Sequence, residues 1–271
     1  MCLYTAGKNV EDIENTLQNN LNVISSWCAG NCMLIHPGKT KSMIVSTRQK
    51  LQNDSYTLTL SLNATPIEQV SEHRVLGITL DDQFKSETHT DNVCKKLSQN
   101  LFLLSKLKHF VNSDTLKLFF NAHIKSHIDY VSPIWDMCPN NHLIPVNSLY
   151  RRSAKLIMSD PSLSTDDKMK QLNILPLDKQ HEYNKCCLMH KIVHHKAPLY
   201  LYELFEHSQT RYENSRSEFK PTWPRIDLTK TNITYSGVTL WDSLPQYLRE
   251  KPSFNSFKTA LRKYLECLSE D

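Results

Sequence analysis

The stretch HRVLGITLDDQF, residues 73–84, marks the point at which the chain changes from a strand pattern to a helix pattern. Its large or β-branched apolar residues favour a strand, and they are Val75, Ile78 and Leu80. Gly77 stands among them and is the only glycine between Gly38 and Gly237. A lone glycine in a strand pattern is typical of a bend, or of a surface that another backbone approaches closely. We therefore predict a strand-to-helix hinge here.

Before this hinge, the sequence predicts one helix and a few short strands. Asn9 has the side chain of an N-cap, and apolar residues then recur at helical spacing to about Trp27. Strand patterns follow over residues 39–47 and 56–63, and a turn over residues 63–66 leads into a third short strand. Because connections this short cannot make a parallel crossover, we predict that the sheet is antiparallel.

After residue 86 the pattern is helical almost to the C-terminus. Apolar residues at three- and four-residue spacing predict helices over residues 93–107, 116–131, 143–158, 165–172, 178–195, 199–205, 236–248 and 253–268. A polar segment near residues 206–235, with little periodicity, predicts an irregular loop. The predicted fold class is therefore α+β, mostly α: a small antiparallel sheet with a helix, followed by a long helical part.

Length and composition are those of an ordinary globular protein. A chain of 271 residues buries a core without disulfides or metals, and 22% charged with 39% hydrophobic residues lies near globular averages. No apolar run approaches the roughly 18 residues of a membrane span, and the N-terminus lacks the layout of a signal peptide. We therefore expect no membrane partner, an intracellular location, either nuclear or cytoplasmic, and reduced thiols at the eight cysteines.

The positions of the cations are more informative than the net charge of +4, which points only weakly to an anionic partner. One stretch sets six lysines against a single acid, Asp114, and the lysines are Lys95, Lys96, Lys106, Lys108, Lys117 and Lys125. A second cluster consists of Arg151, Arg152 and Lys155. Solvated helix faces carry such clusters too, so each cluster by itself leaves both interpretations open.

The residues by themselves indicate no catalytic chemistry. Asp81 and Asp82 are adjacent, but neighbouring side chains in a strand point to opposite faces, which favours turn formation over a shared metal ion. Cys186, His190 and His194 share one predicted helix face, which offers two or three of the four ligands of a structural zinc. There is no nucleophile elbow and no glycine-rich phosphate loop. We predict no catalytic residue, no metal and no cofactor bound by this chain.

Short motifs nevertheless follow one another in a specific order along nearly the whole chain. They are LYTAGKNVEDIENTLQNNLNVISSWC (3–28), Asn31 with KTK (39–41), LGITLD (76–81) with His89 downstream, YVSPIW (130–135), LYRRSAKLIM (149–158), APLYL (197–201), LWDSLPQYLR (240–249) and FNSFKTALRKYL (254–265). In this order and spacing, the chain resembles the C-terminal half of the reverse transcriptase of non-LTR retrotransposons of the jockey-like kind. It departs from that family at His36, Ser86 and Asp242, where Asn, Trp and Asn are usual.

The resemblance implies three parts: a partial palm over residues 1–84, a thumb-like helical region over 85–160 and a C-terminal helical region over 161–271. In the family, the catalytic Asp-Asp lies immediately before the segment that matches residues 1–4. We therefore expect a fragment of an RNA-directed DNA polymerase that is inactive alone. Nucleotide addition by such enzymes uses two metal ions held by palm aspartates, so Mg²⁺ is expected only for the full-length polymerase.

The resemblance also assigns roles to residues. Lys39 takes the place of a contact to the phosphates of the incoming nucleotide, although an ordinary lysine at a strand start explains it equally well. Leu76 and Gly77 resemble the primer grip, where glycine lets a sugar-phosphate strand approach. Thumb and neighbouring cations would hold phosphates without reading sequence, and they are Lys95, Lys96, Lys106, Lys108, Arg151 and Arg152. The implied partners are an RNA template/DNA primer duplex and the missing palm and fingers half.

Two other functions stay open at this point. One is a nucleic-acid-binding module without chemistry, whose binding weakens steeply as the salt concentration rises. The other is a helical interaction protein or an unselected remnant, whose exposed apolar surface predicts poor solubility or self-association.

Overall fold

The computed structural model describes residues 2–53, 56–135, 138–207, 219–222 and 232–268. The chain divides into two compact units, residues 1–89 and 90–271. Helices hold most of the described residues and every strand is short, so the predicted class, α+β and mostly α, is confirmed. The predicted three-part division at residues 84/85 and 160/161 stays a prediction.

The first unit is organised around helix α1, Val10–Gly30. Asn9 is its N-cap, as predicted, because the side-chain oxygen of Asn9 accepts a hydrogen bond from the backbone N–H of Glu11 at 3.2 Å. The helix buries Leu21 against a small apolar cluster. The other fully buried members of that cluster are Leu58, Leu60, Leu62 and Ile67.

The strands of the first unit form three separate two-stranded ladders instead of one sheet. They are β1 Lys41–Ser42 with β4 Glu68–Gln69, β2 Ser61–Leu62 with β3 Thr65–Pro66, and β5 Glu72–Val75 with β6 Ile78–Asp81. The last two ladders are antiparallel, as predicted, but β1–β4 is parallel, which corrects the prediction. The reason is that residues 43–67 contain helix α2, Arg48–Asn53, and the β2–β3 hairpin, so this connection is long enough to return in the same direction.

The stretch at residues 73–84 is a β-hairpin rather than a single strand. Leu76 and Gly77 form its two-residue loop with φ angles of 49° and 89°. Two consecutive residues with positive φ define the type I′ turn that suits the right-handed twist of a hairpin. Gly77 is therefore explained by the turn itself, since glycine adopts this conformation without steric cost. Asn63 and Ala64 make the same turn between β2 and β3, where a turn was predicted.

The second unit is almost entirely helical, and each predicted helix is present. The elements are α3 Glu87–Leu107, which begins in the first unit, α4 Ser113–Phe120, a π-helical turn Asn121–Lys125, α5 Ser126–Asp129, α6 Ser132–Trp135, α7 Asn140–Ile157, α8 Thr165–Gln171, α9 Leu177–Val193, α10 Leu199–Tyr202, a second π-helical turn Ile233–Gly237, α11 Val238–Ser243, α12 Gln246–Arg249 and α13 Phe254–Leu268.

Some residues of the segment predicted as an irregular loop near residues 206–235 form a short strand pair. Strand β7, Glu206–His207, pairs antiparallel with β8, Phe219–Lys220, and the side chain of Phe219 is buried. This ladder corrects the prediction for its own residues. It forms because Phe219 packs on Phe205, with their ring centroids 4.8 Å apart. Residues 208–218 and 223–231 lie outside the described residues.

Two apolar cores hold the second unit together. The first joins α3, α4, α5, α6, α7 and α8, and its fully buried side chains include Leu97, Leu104, Phe120, Trp135 and Tyr150. The second joins α9, α11, α12 and α13, and includes Met189, Trp241, Leu248, Phe257 and Leu261. The first core is the one that positions the basic surface described below.

His181 on α9 makes the stability of the second unit sensitive to pH. Its ring packs edge-on against Trp135 with the centroids 5.0 Å apart. Burial, aided by the positive charge of Lys185, lowers the pKa of His181 to about 4, against the weaker pull of Asp129 and Asp178. The unfolded state therefore binds a proton more readily than the folded state between pH 6.5 and 4. The contribution of neutral, buried His181 to the free energy of unfolding is fully present above pH 6.5 and is lost as the pH falls towards 4.

We predict that His181 accounts for a loss of about 3 kcal/mol of unfolding free energy between pH 6.5 and 4. Urea denaturation followed by tryptophan fluorescence measures it. Replacing His181 by Phe keeps a ring against Trp135 and removes the titrating group, so H181F should lose less stability over this range. Exposed His109 provides the control, because H109F should lose as much as the wild type. Equal losses for H181F and the wild type would contradict the prediction.

Candidate nucleic-acid interface

Helix α3 carries the main basic surface because its opposite side is buried. The apolar stripe of α3 lies in the first core and consists of Val93, Leu97, Leu101 and Leu104. With 3.6 residues per turn, the positions on the opposite side of the helix from this stripe face outward. Lys95, Lys96 and Lys106 are exposed accordingly, whereas Lys108 follows the end of the helix and is half-buried. Within the described part of the chain, none of these four lysines forms an ion pair.

The four lysines do not share one face. Lys95 and Lys106 are eleven residues apart, which is three helical turns, so they project in nearly the same direction. Lys96 projects about 100° away from Lys95. Phe102 lies between Lys95 and Lys106 on their face and is 61% exposed. The ammonium nitrogen Nζ of Lys106 lies 5.5 Å from the centroid of the Phe102 ring.

Sequence reasoning missed Phe102, although the signal was present. Phe102 is an apolar residue on the polar face of an amphipathic helix, seven residues after Lys95 and four before Lys106. It therefore departs from the pattern that predicts the buried stripe. We refer to Lys95, Gln99, Phe102 and Lys106 as the α3 stripe.

Lys96 faces a second basic group that the sequence did not reveal. The π-helical turn brings the backbone of His123 to α3, where the Asn100 side-chain amide donates a hydrogen bond to the His123 carbonyl at 2.6 Å. Burial lowers the pKa of His127, and the positive charges of Lys96 and His123 lower it further. Lys96 and His123 both lie close enough to His127 to disfavour its protonation.

Other predicted cations are already paired. Arg151 on α7 holds Asp166 with two hydrogen bonds, at 2.6 Å from Nη1 to Oδ1 and 3.0 Å from Nη2 to Oδ2. These hydrogen bonds lower the pKa of Asp166 and raise that of Arg151. Arg151 must release Asp166 before it contacts a phosphate. Its neighbour Arg152 is exposed, and Lys125 forms an ion pair with Asp129.

The predicted contacts of the first unit lie at its surface. Leu76, at the tip of the β5–β6 hairpin, is 86% exposed, and Gly77 beside it is exposed too. Lys39 is exposed at the end of a 3₁₀ turn, Pro37–Lys39. Its neighbour Lys41 pairs with Glu68 across the parallel ladder β1–β4.

The Asp81 carboxylate organises a loop, which confirms the interpretation of this residue as a turn former. Its two oxygens accept hydrogen bonds from the backbone N–H groups of Gln83 and Lys85 at 2.9 Å and of Ser86 at 2.7 Å. These bonds stabilise the path from β6 to α3, in which Phe84 and Ser86 have positive φ angles. The loop thus uses three of the roughly four acceptor positions of this carboxylate.

The second adjacent pair of aspartates, Asp166 and Asp167, is also used in the fold. Asp166 binds Arg151, and the side chain of Asp167 accepts a hydrogen bond from the Ser164 hydroxyl at 2.6 Å. Ser164 in turn caps α8 by accepting from the Asp167 backbone N–H at 3.1 Å. Among the described residues, no group of three or more His, Cys, Asp and Glu is arranged to hold a metal ion.

The cysteine and histidines of α9 pack in the second core. His190 stacks on Phe257 with the ring centroids 4.3 Å apart, and its Nε2 lies 2.7 Å from the Lys251 carbonyl oxygen. His194 Nε2 lies 3.3 Å from the Arg249 carbonyl oxygen, and Cys186 is buried. These contacts satisfy carbonyls at the end of α12, so the helix face considered for zinc serves packing. None of the eight cysteines, all of which lie within the described residues, is bonded to another.

No family model, no curated protein and no solved structure matches this chain. Within the described ranges, no helix combines the length and apolar character required to cross a bilayer.

We predict that Asp81→Ala exposes the backbone amides of Gln83, Lys85 and Ser86 to hydrogen exchange. Leaving these donors without their acceptor costs about 1–3 kcal/mol, which corresponds to roughly a 5- to 150-fold loss of protection. Hydrogen–deuterium exchange of a peptide spanning residues 79–89 measures it. Asp82→Ala is the matched control, because Asp82 forms its hydrogen bonds to Ser46 and Ser71 through its backbone, which the substitution keeps. An equal loss of protection in both variants would contradict this role.

Proposed function

We propose that this chain is the C-terminal half of a non-LTR retrotransposon reverse transcriptase, and that it holds the phosphates of a template–primer without carrying the catalytic centre. The ordered series of motifs from residue 3 to residue 265 supports the family. The alternative, a nucleic-acid-binding module without chemistry, uses the same surface. The two differ only in whether another polypeptide completes the site.

The outward side of α3 is the observation that carries this proposal. Lys95, Lys96 and Lys106 extend into solvent from a helix whose other side is held by fully buried leucines. Lysines on a fixed helix hold phosphates as point charges and do not distinguish bases. A thumb that follows a moving primer needs this kind of contact, because the sequence beneath it changes with every added nucleotide.

The hairpin tip fits the expected primer grip in form. Leu76 and Gly77 project at an exposed type I′ turn, and the absence of a side chain at Gly77 allows a sugar-phosphate backbone to approach. Lys39 stays the proposed contact to nucleotide phosphates. We propose that the metal-binding aspartates come from the missing palm and fingers half, and that Mg²⁺ acts only in the complete polymerase.

The interaction-protein alternative is favoured by a different surface. Val23 and Trp27 lie four residues apart on one face of α1 and are 67% and 61% exposed. An exposed tryptophan beside a second apolar side chain is typical of a protein interface. Under the preferred function, the missing palm and fingers half is the partner that covers this face.

We predict that reversing two charges on α3 weakens binding to an RNA/DNA duplex. Fluorescence anisotropy with a labelled duplex should show wild-type affinity falling steeply with salt, with a slope of about 0.9 per phosphate contact. K95E/K106E should reduce affinity at least tenfold and lower the slope. The control K8E/K263E makes the same change in net charge at two other exposed lysines. Equal effects of the two double variants, or binding that does not depend on salt, would refute the α3 surface.

We also predict that the purified chain does not extend a primer when it is given template, nucleotides and Mg²⁺. The expected result is binding without synthesis, because the aspartates that hold the two metal ions in this family are supplied elsewhere. A gel assay of primer length measures it. Extension that disappears when Mg²⁺ is chelated would show that the chain carries its own catalytic centre.

A further inference from the structure

We propose that Phe102 is a stacking platform for one unpaired base, and that Lys95 and Lys106 hold the phosphates on either side of it. Besides a duplex, the α3 stripe then binds a single strand of nucleic acid, such as a template overhang beyond the duplex. This inference rests on the proposed function of α3 as a nucleic-acid surface and assigns a ligand class to one face of it.

The spacing of the stripe suits a single strand. With a rise of 1.5 Å per residue, Lys95 lies roughly 10 Å from Phe102 along the helix axis, and Lys106 roughly 6 Å on the other side. Cations thus flank an aromatic ring over a few nucleotides of chain. Asp91 lies one turn before Lys95 and is the last acidic residue of α3. The basic stripe therefore begins after Asp91.

The Phe102 ring is open to solvent and has a cation beside it. Lys106 Nζ lies over the ring, 5.5 Å from the centroid, which places a positive charge next to the ring face. The nearby phenylalanines of α4 are used differently. Phe120 is fully buried against Tyr150, and Phe119 packs against His123 with the ring centroids 4.5 Å apart.

Stacking distinguishes a single strand from a duplex. Bases within a duplex already stack on their neighbours and present no free face to a side chain. Unpaired bases present such a face. A base stacked on an aromatic side chain contributes about 1–3 kcal/mol whatever its identity. The two lysines match the charge of the strand, and an exposed ring between them has no comparable use against an acidic peptide.

Phe102→Leu tests the platform, because it keeps an apolar side chain and removes the ring face. Anisotropy should show that F102L binds a labelled oligothymidylate about tenfold more weakly than the wild type, within the range for one stacked base. F102Y should bind within about twofold of the wild type. RNA/DNA duplex binding should stay unchanged. Phe110→Leu is the matched control, since Phe110 is 85% exposed but lies beyond the end of α3.

An oligonucleotide without bases separates stacking from charge. The wild type and F102L should bind an abasic strand equally, because both keep the two lysines. The platform is overturned if F102L and the wild type bind oligothymidylate with equal affinity. It is also overturned if F102L loses as much affinity for the abasic strand as it does for oligothymidylate. If K95E/K106E still weakens duplex binding in that case, the proposed function survives and only the stacking is wrong. Competition by polyglutamate as effective as by oligothymidylate would also overturn it.

Discussion

Burial of one apolar stripe determines the direction of every cation on α3. Leu97 and Leu104 are fully inaccessible, and they lie in a core with Phe120, Trp135 and Tyr150. A helix cannot rotate about its axis without removing such side chains from the core, at a cost of about 1.5–3 kcal/mol each. The exposed positions of Lys95, Lys96 and Lys106 therefore follow from the packing on the other side. The core therefore fixes the helix that carries the proposed binding surface.

A partly buried polar network reinforces the same unit. The Asp129 carboxylate accepts hydrogen bonds from the amides of Gln180 at 2.8 Å and Asn184 at 3.0 Å, and it also pairs with Lys125. Asn184 donates a second bond to the Ser132 hydroxyl at 2.9 Å. These contacts connect the end of α5 to α9 and so link the first core to the second. The π-helical turn before α5 belongs to this arrangement, since it also brings His123 and His127 to the side of Lys96.

Local chemistry explains the hairpin at residues 72–81 equally directly. The glycine that suggested a close backbone neighbour is required by the positive φ of the turn. The aspartates that suggested a metal site follow the second strand, and Asp81 stabilises the loop into α3. A primer-grip role for Leu76 and Gly77 is compatible with this explanation, because the same turn places both residues at an exposed tip. The turn itself requires no ligand.

The sequence by itself determined the helices, because their apolar residues recur with the 3.6-residue period that each helix needs to bury one side. It also determined the N-cap at Asn9 and the turn at Asn63, which depend on neighbouring residues alone. The parallel ladder β1–β4 and the buried Phe219 were decided by tertiary structure, since each depends on partners distant in sequence. The same holds for the site. The lysines were visible as a charge cluster, but only folding showed that Arg151 is bound by Asp166, that Lys96 adjoins two histidines and that Phe102 remains exposed.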